Sequence, residues 1–306
     1  MDLKGIVVPL ITPFRSDGTI DDPAVEALVE HAVQGGISGI FVLGSCGEFP
    51  ALTTEEKVHF VQVVKKALGE RIPLFAGIGE TTTKRAIELG QCLAEAGANC
   101  LVASSPLYYI HSQDDLYRHF ALIATHSTVP ILLYNIPQFA KNVLTPPLVR
   151  RLSEHDNIIG LKDSAGDMTA FQEYLELKRQ HPEFVVFQGA EPLAALSLVR
   201  GADGAVLGLA NVAPRLCSQL YSAAIQMRIP DLWDLQRDLM TLYAIYNHRS
   251  WLAGLKTAVS ELGLCRPVLS VPFTPLSDNE VAAVRQAMRA AGLELSGNLK
   301  SRIAGE

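Results

Sequence analysis

Eight short apolar runs, spaced at intervals of roughly 30 residues and separated by helical patterns, constrain the fold of this chain more than any other feature. They are Ile6 to Leu10, Gly39 to Leu43, Pro73 to Ile78, Cys100 to Ser104, Pro130 to Tyr134, Ile158 to Lys162, Phe184 to Gln188 and Gly204 to Leu207. Runs of this length read as strands of a parallel sheet covered on both faces. The segments between them carry helix signals. Asp22 is placed to cap a helix with Pro23 in its first turn, and Val25, Leu28, Val29, Ala32 and Val33 form its core stripe before Gly35-Gly36. Thr53-Thr54-Glu55-Glu56 reads as a capping box opening a helix through Leu68, and a third helix is expected from about Lys84 to Gly97. Eight parallel βα units in about 220 residues close most naturally into a (β/α)8 TIM barrel, an α/β fold. A doubly wound open sheet is the runner-up.

Residues 225–306 show no strand signal and read as a C-terminal three-helix extension appended to a catalytic barrel over 1–224. One stripe is Leu232, Leu235, Leu239 and Leu242, and another is Leu252, Leu255, Val259 and Leu262. Pro267, Pro272 and Pro275 mark a link, after which Ser277-Asp278-Asn279-Glu280 is a capping box for a last helix through Met288.

Several function classes fall away on composition. Apolar residues make up 48% and charged residues 19%, a globular balance, and no apolar run reaches the roughly 20 residues of a membrane helix. Five scattered cysteines with no C-x-x-C pair argue against a disulfide framework and a thiolate zinc site. The histidines, His111 and His119 among them, follow no H-E-x-x-H pattern, so no metal is expected. A net charge of −6 without a basic run gives no footprint for nucleic acid or an anionic membrane. The opening Met1 to Ile6 lacks the features of a secretory signal, so the expected location is the cytoplasm.

In a barrel of this kind reactive groups gather at the C-terminal ends of the strands. Lys162 ends run six, and burial disfavours the charged form of any amine. A neutral amine is a nucleophile. Tyr134 ends run five on the neighbouring strand, and Gly44-Ser45-Cys46-Gly47-Glu48 follows run two as a turn whose amides and hydroxyl can cradle a carboxylate. Ser104 to Tyr109 and Gln188 to Glu191 follow runs four and seven. Each has a plainer reading. Lys162 could pair with Asp163, Tyr134 could seat its ring in the core, and the glycine loop could be only a tight turn. Cys46 has no histidine near it in sequence and reads as pocket lining.

Together these residues resemble the dihydrodipicolinate synthase and N-acetylneuraminate lyase superfamily of class I, Schiff-base aldolases. Four passages carry the resemblance: Gly5 to Phe14, Gly44 to Glu48, Tyr134-Asn135-Ile136-Pro137 and Gly160-Leu161-Lys162-Asp163. It extends over almost the whole chain. It implies that Lys162 forms the imine, that Tyr134 is the general acid/base, and that the Ser45 hydroxyl with the amides of Cys46 and Gly47 holds the carboxylate of a 2-oxo acid. It also implies that Tyr108 reaches into a neighbouring subunit to complete a proton relay, in a tetramer built as a dimer of dimers. Gly189, Glu191 and the backbone around Leu207 fall where relatives contact the distal part of the substrate. No metal or organic cofactor is implied.

The departures bear on the second substrate. In dihydrodipicolinate synthases an arginine after Tyr-Asn-x-Pro binds the carboxylate of the aldehyde; here that segment reads Gln138-Phe139-Ala140-Lys141, with Phe139 at the arginine's place. A phenyl ring cannot make a bidentate carboxylate contact, although Lys141 is available as a substitute. The sialic acid lyase pattern is incomplete as well. The sequence therefore reads as an aldolase with pyruvate as one half, closest to the 2-keto-3-deoxy sugar acid aldolases. The alternatives are 4-hydroxy-tetrahydrodipicolinate synthase, acting on pyruvate and aspartate semialdehyde, a related imine-forming dehydratase, or a non-catalytic sugar-acid sensor.

Overall fold

The structure is a computed structural model that describes residues 3–295. Strands β1 (Gly5–Pro9), β2 (Gly39–Val42), β3 (Leu74–Gly77), β4 (Cys100–Ser104), β5 (Ile131–Asn135), β6 (Ile158–Asp163), β7 (Val185–Gln188) and β8 (Gly204–Val206) form a closed parallel barrel in sequence order. Each strand lies within one or two residues of the expected run. The open doubly wound sheet is excluded, because β8 pairs with β1. That closure is tight. A Cβ on Gly204 would lie 1.9 Å from the Gly5 carbonyl oxygen, so a side chain there would force the two strands apart.

Around the barrel run α1 (Asp22–Gln34), α2 (Thr54–Leu68), α3 (Thr83–Glu95), α4 (Gln113–His126), α5 (Pro137–Ala140), α6 (Pro146–Leu152), α7 (Met168–Glu176), α8 (Ala194–Val199) and α9 (Pro214–Ile225). The extension is α10 (Ile229–Tyr243), α11 (Trp251–Glu261) and α12 (Asp278–Ala290). The expected capping box on α2 is present: Glu56 N–H donates to Thr53 Oγ1 at 3.2 Å while Thr53 N–H donates to the Glu56 carboxylate at 2.8 Å. At α12, Ser277 N–H likewise donates to Glu280, at 2.8 Å. The expectation for α1 needs correction. Asp21 is the N-cap and makes no side-chain capping bond, because Pro23 removes an N–H the cap would accept from. Asp22 is instead the first helical residue, and its carboxylate lies 2.9 Å from His59 Nε2 on α2.

Side-chain alternation splits the core into two layers. Inside the barrel pack Val7, Phe41, Phe75, Val102, Leu132, Tyr134, Phe187 and Val206. A larger set, including Val8, Ile40, Val42, Leu133 and Leu161, faces outward against the helices. Each buried phenylalanine in the inner layer contributes roughly 1.5–3 kcal/mol of transfer free energy. In the extension, α10 and α12 bury single stripes, but α11 is buried continuously from Leu252 to Glu261. No helix among the described residues is long and apolar enough to cross a membrane.

Candidate active site

The inner face of the barrel turns from apolar to polar at the C-terminal ends of β5 and β6. There Tyr134 pairs with Lys162, and Asn135 with Asp163 one step further on. Because Leu132 and Tyr134 point inward on β5, the register places Gly160 and Lys162 inward on β6. Lys162 is 4% exposed; its Nζ lies 4.0 Å from the Tyr134 ring centroid and 4.8 Å from that of Phe41. The Phe41 and Tyr134 rings meet edge to face at 6.1 Å. The amine is therefore held between two aromatic rings. It is not paired with Asp163, whose Oδ1 accepts from Asn135 Nδ2 at 2.7 Å and from Ala165 N–H at 3.4 Å. Burial pushes the Asp163 carboxyl up to about 6, and its Oδ2 has no hydrogen-bond partner.

Above Lys162 opens a cavity of about 320 Å³, the size of a small-molecule site. Ser45 and Cys46 line it from a single 3-10 turn after β2, closed by Gly47 N–H donating to Gly44 O at 3.0 Å. Gly47 itself does not line the cavity; its carbonyl accepts from Thr12 Oγ1 at 2.6 Å, which secures the turn from below. Burial pushes the Cys46 thiol up to about 12 against the opposing pull of Lys162, so the sulfur stays protonated.

The far side is built from Gly189, Glu191 and Gly208 together with residues of the extension. Glu191 Oε1 accepts from Gly208 N–H at 2.8 Å, from Leu209 N–H at 3.4 Å and from the Tyr246 hydroxyl at 3.3 Å. Burial raises the carboxyl of Glu191, and burial beside Glu191 raises the hydroxyl of Tyr246 well above its ordinary value. Only glycine fits at 208. A Cβ there would lie 2.5 Å from Tyr246 Oη and 3.2 Å from Glu191 Oε1.

The remaining expected residues fall in different places. Leu207 is fully buried in the outer layer, and its neighbours Val206 and Gly208 reach the cavity, a consequence of alternation along the strand end. Tyr108, at φ 87°, is 71% exposed and lines no part of this cavity. Phe139 does line it, and stacks on Trp251 with centroids 6.4 Å apart. Lys141, the proposed substitute for an arginine, turns outward over the Tyr108 ring at 5.9 Å and is absent from the cavity wall. Sequence reasoning missed Tyr243, Tyr246, Asn247 and Trp251, which all line the cavity from the extension. Their only signal was an aromatic-rich connection between two helical stripes.

Comparisons with known proteins bear on the family and the fold. The sequence model of the Dihydrodipicolinate synthetase family matches residues 2–291. A 4-hydroxy-tetrahydrodipicolinate synthase of Neisseria meningitidis is 34% identical over 291 residues, 95% of this chain and 99% of the relative. Another from Phenylobacterium zucineum is 34% identical over 292 residues, 95% of this chain and 98% of the relative. Among solved structures, YagE, an Escherichia coli K12 prophage protein of the dihydrodipicolinic acid synthase family in complex with pyruvate, superposes with a TM-score of 0.92 at 29% identity, covering 95% of this chain and 99% of that one. The chloride-inhibited dihydrodipicolinate synthase of Acinetobacter baumannii, also complexed with pyruvate, gives 0.90 at 30% identity, covering 95% of this chain and 100% of that one. The chain belongs to the dihydrodipicolinate synthetase family.

Proposed function

We propose that this protein is a class I lyase in which Lys162 forms an imine with pyruvate, or with the pyruvate half of a longer 2-oxo acid. The observation that carries this is the register pairing of Lys162 with Tyr134 at the floor of a cavity whose wall includes the Ser45–Cys46 turn. The free amine of Lys162 adds to the C2 ketone to give a carbinolamine, whose hydroxyl takes up a proton and leaves as water, so that a protonated imine remains. That cation takes up the electron pair of C3, so the C3–C4 bond can form or break. Tyr134 removes the C4 hydroxyl proton in cleavage and returns it in addition. The Ser45 hydroxyl and the turn's amides bind the carboxylate. Two of the structural relatives carry pyruvate, which supports this half of the substrate.

The second half separates two readings. The names of the curated relatives favour aspartate semialdehyde and a 4-hydroxy-tetrahydrodipicolinate synthase activity. The cavity wall favours a neutral, hydroxyl-bearing aldehyde, as a 2-keto-3-deoxy sugar acid would release. Phe139 and Trp251 replace a cationic contact there, Lys141 faces away, and among the described residues the carboxyl group in the wall is that of Glu191, a hydrogen-bonding partner for hydroxyls. A panel of 2-oxo-3-deoxy acids assayed for pyruvate release, beside condensation of pyruvate with aspartate semialdehyde, tests both. Turnover of the sugar acids supports the reading from the cavity, and turnover of aspartate semialdehyde alone overturns it in favour of the synthase.

Tyr108 supports an oligomer in the same scheme. It is exposed together with Tyr109 and Ile110, so its part in a proton relay requires the cavity of a second copy. The expected assembly is a tetramer, and sedimentation of the protein with and without Tyr108→Ala reads it out alongside activity.

A further inference from the structure

Glu48 follows the Ser45–Gly47 turn directly and stands in the left-handed region at φ 54°, a conformation that residues other than glycine avoid unless their surroundings impose it. It is 3% exposed, and the bonds of its carboxylate run to the extension: one oxygen to Lys256 Nζ, the other accepting from Ser270 N–H at 2.8 Å and Ser270 Oγ at 2.6 Å. Lys256 is fully buried on α11, with its Nζ 4.1 Å from the centroid of the Phe14 ring. Neither group faces the cavity above Lys162. A buried ion pair is poor evidence for stability by itself, since apolar replacements often serve as well, so its use lies in specifying a conformation. What it specifies here is the exit of the turn that carries Ser45 and Cys46. The same helix places Trp251 in the cavity wall five residues before Lys256, so α11 touches the site at two points.

We propose that Lys256, acting through Glu48, is a positioning residue that sets the geometry of the Ser45–Gly47 turn and makes binding of the substrate carboxylate depend on the docked C-terminal extension. Thr12 secures the turn at Gly47 from the barrel side, and Glu48 secures it from the extension side. Loosening the second anchor lets the Ser45 hydroxyl and the turn amides drift from the carboxylate while leaving Lys162 and Tyr134, on other strands, in place. The defect then falls on pyruvate affinity and not on the chemistry of the amine. This inference rests on the imine reading above.

The test titrates pyruvate against borohydride trapping in the full-length protein, with mass spectrometry reading the extent of adduct and thermal unfolding recorded in parallel. In Lys256→Met the pyruvate concentration for half-maximal trapping is expected to rise about tenfold, with the extent at saturation unchanged. Leaving Glu48 buried without its cation also lowers stability, so Glu48→Gln with Lys256→Met is made as a neutral pair. The pair is expected to regain much of the unfolding temperature while keeping the raised half-saturation. Ser270→Ala, which removes one hydroxyl from Glu48, is expected to shift half-saturation two- to threefold in the same direction and keeps the inference testable if Lys256→Met does not fold. Half-saturation equal to that of the parent in the folded variants, or its return to the parent value together with stability in the neutral pair, overturns the inference. Absence of any adduct in the parent protein overturns the imine reading itself, which is a different result.

Discussion

Tyr134 and Lys162 are partners across β5 and β6, and the lysine Nζ lies 4.0 Å from the centre of the tyrosine ring. Substrate bound as an imine on that nitrogen is consequently next to the phenol. Tyr134→Phe keeps the ring that packs against the amine and removes only the hydroxyl. The variant is expected to form the pyruvate imine at near-parent level while turnover falls by about 10²–10⁴-fold. Full turnover would reject the acid/base role, and loss of the imine would show that the hydroxyl acts earlier.

Phe139 is the residue through which substrate choice is expected to change. It lines the cavity and stacks on Trp251. Phe139→Arg places a guanidinium where a second carboxylate could be gripped in a bidentate contact, which should raise kcat/KM for aspartate semialdehyde over a neutral aldehyde by tenfold or more, about 1.4 kcal/mol. Steady-state kinetics with both aldehydes reads the ratio. No change in it would mean that the second substrate does not reach Phe139.

Asp163 makes stability depend on pH. Its folded-state value, about 6, lies above the ordinary 3.8 because the carboxyl is buried. The folded protein thus holds this proton more tightly than the unfolded chain. The penalty for ionising Asp163 is absent below about pH 4, grows as pH rises, and is complete above about pH 6. A shift of about two units corresponds to about 3 kcal/mol at most. Asp163→Asn, whose amide oxygen can still accept from Asn135, should therefore gain stability relative to the parent between about pH 4 and pH 7.5. Urea unfolding at the two pH values measures this, and an equal difference at both would contradict it.

Cys46 occupies a position where a hydroxyl would bind a carboxylate better. Its buried thiol, pushed up to about 12, is a weak donor and a poor nucleophile. Cys46→Ser should lower the half-saturating pyruvate concentration by about threefold to tenfold, since a bond to a charged acceptor contributes more than a thiol does. In the parent, iodoacetamide at mild alkaline pH should label the half-buried Cys92 before Cys46. Rapid labelling of Cys46 would contradict the burial argument.

How much of this was legible in sequence depended on whether the information was local. The barrel was legible because each strand and helix declared itself within its own run, and the motifs around Ser45, Tyr134 and Lys162 ended strands whose shared rim followed from the fold. The far wall was not. Tyr246 and Trp251 lie more than fifty residues from Glu191, and only the docking of the extension brings them to it. The Glu48–Lys256 pair spans 208 residues of sequence and carries no pattern in either segment. The strand end around Leu207 was legible, but not which of its residues face the cavity: Val206 and Gly208 do, while the Leu207 side chain packs outward. The cap of α1 was misplaced by one residue: Asp22 is already helical and Asp21 is the N-cap, which puts Pro23 at the second helical position, where it has no N–H to offer the cap.

The central claim is that Lys162, among all the lysines, carries the imine. Incubation with pyruvate and borohydride, digestion and peptide mass spectrometry test it most directly. The account predicts one reduced adduct, on the peptide containing Lys162, that disappears in a folded Lys162→Ala protein together with turnover. An adduct on Lys57 or Lys256 in place of Lys162, or no adduct at saturating pyruvate, would contradict it.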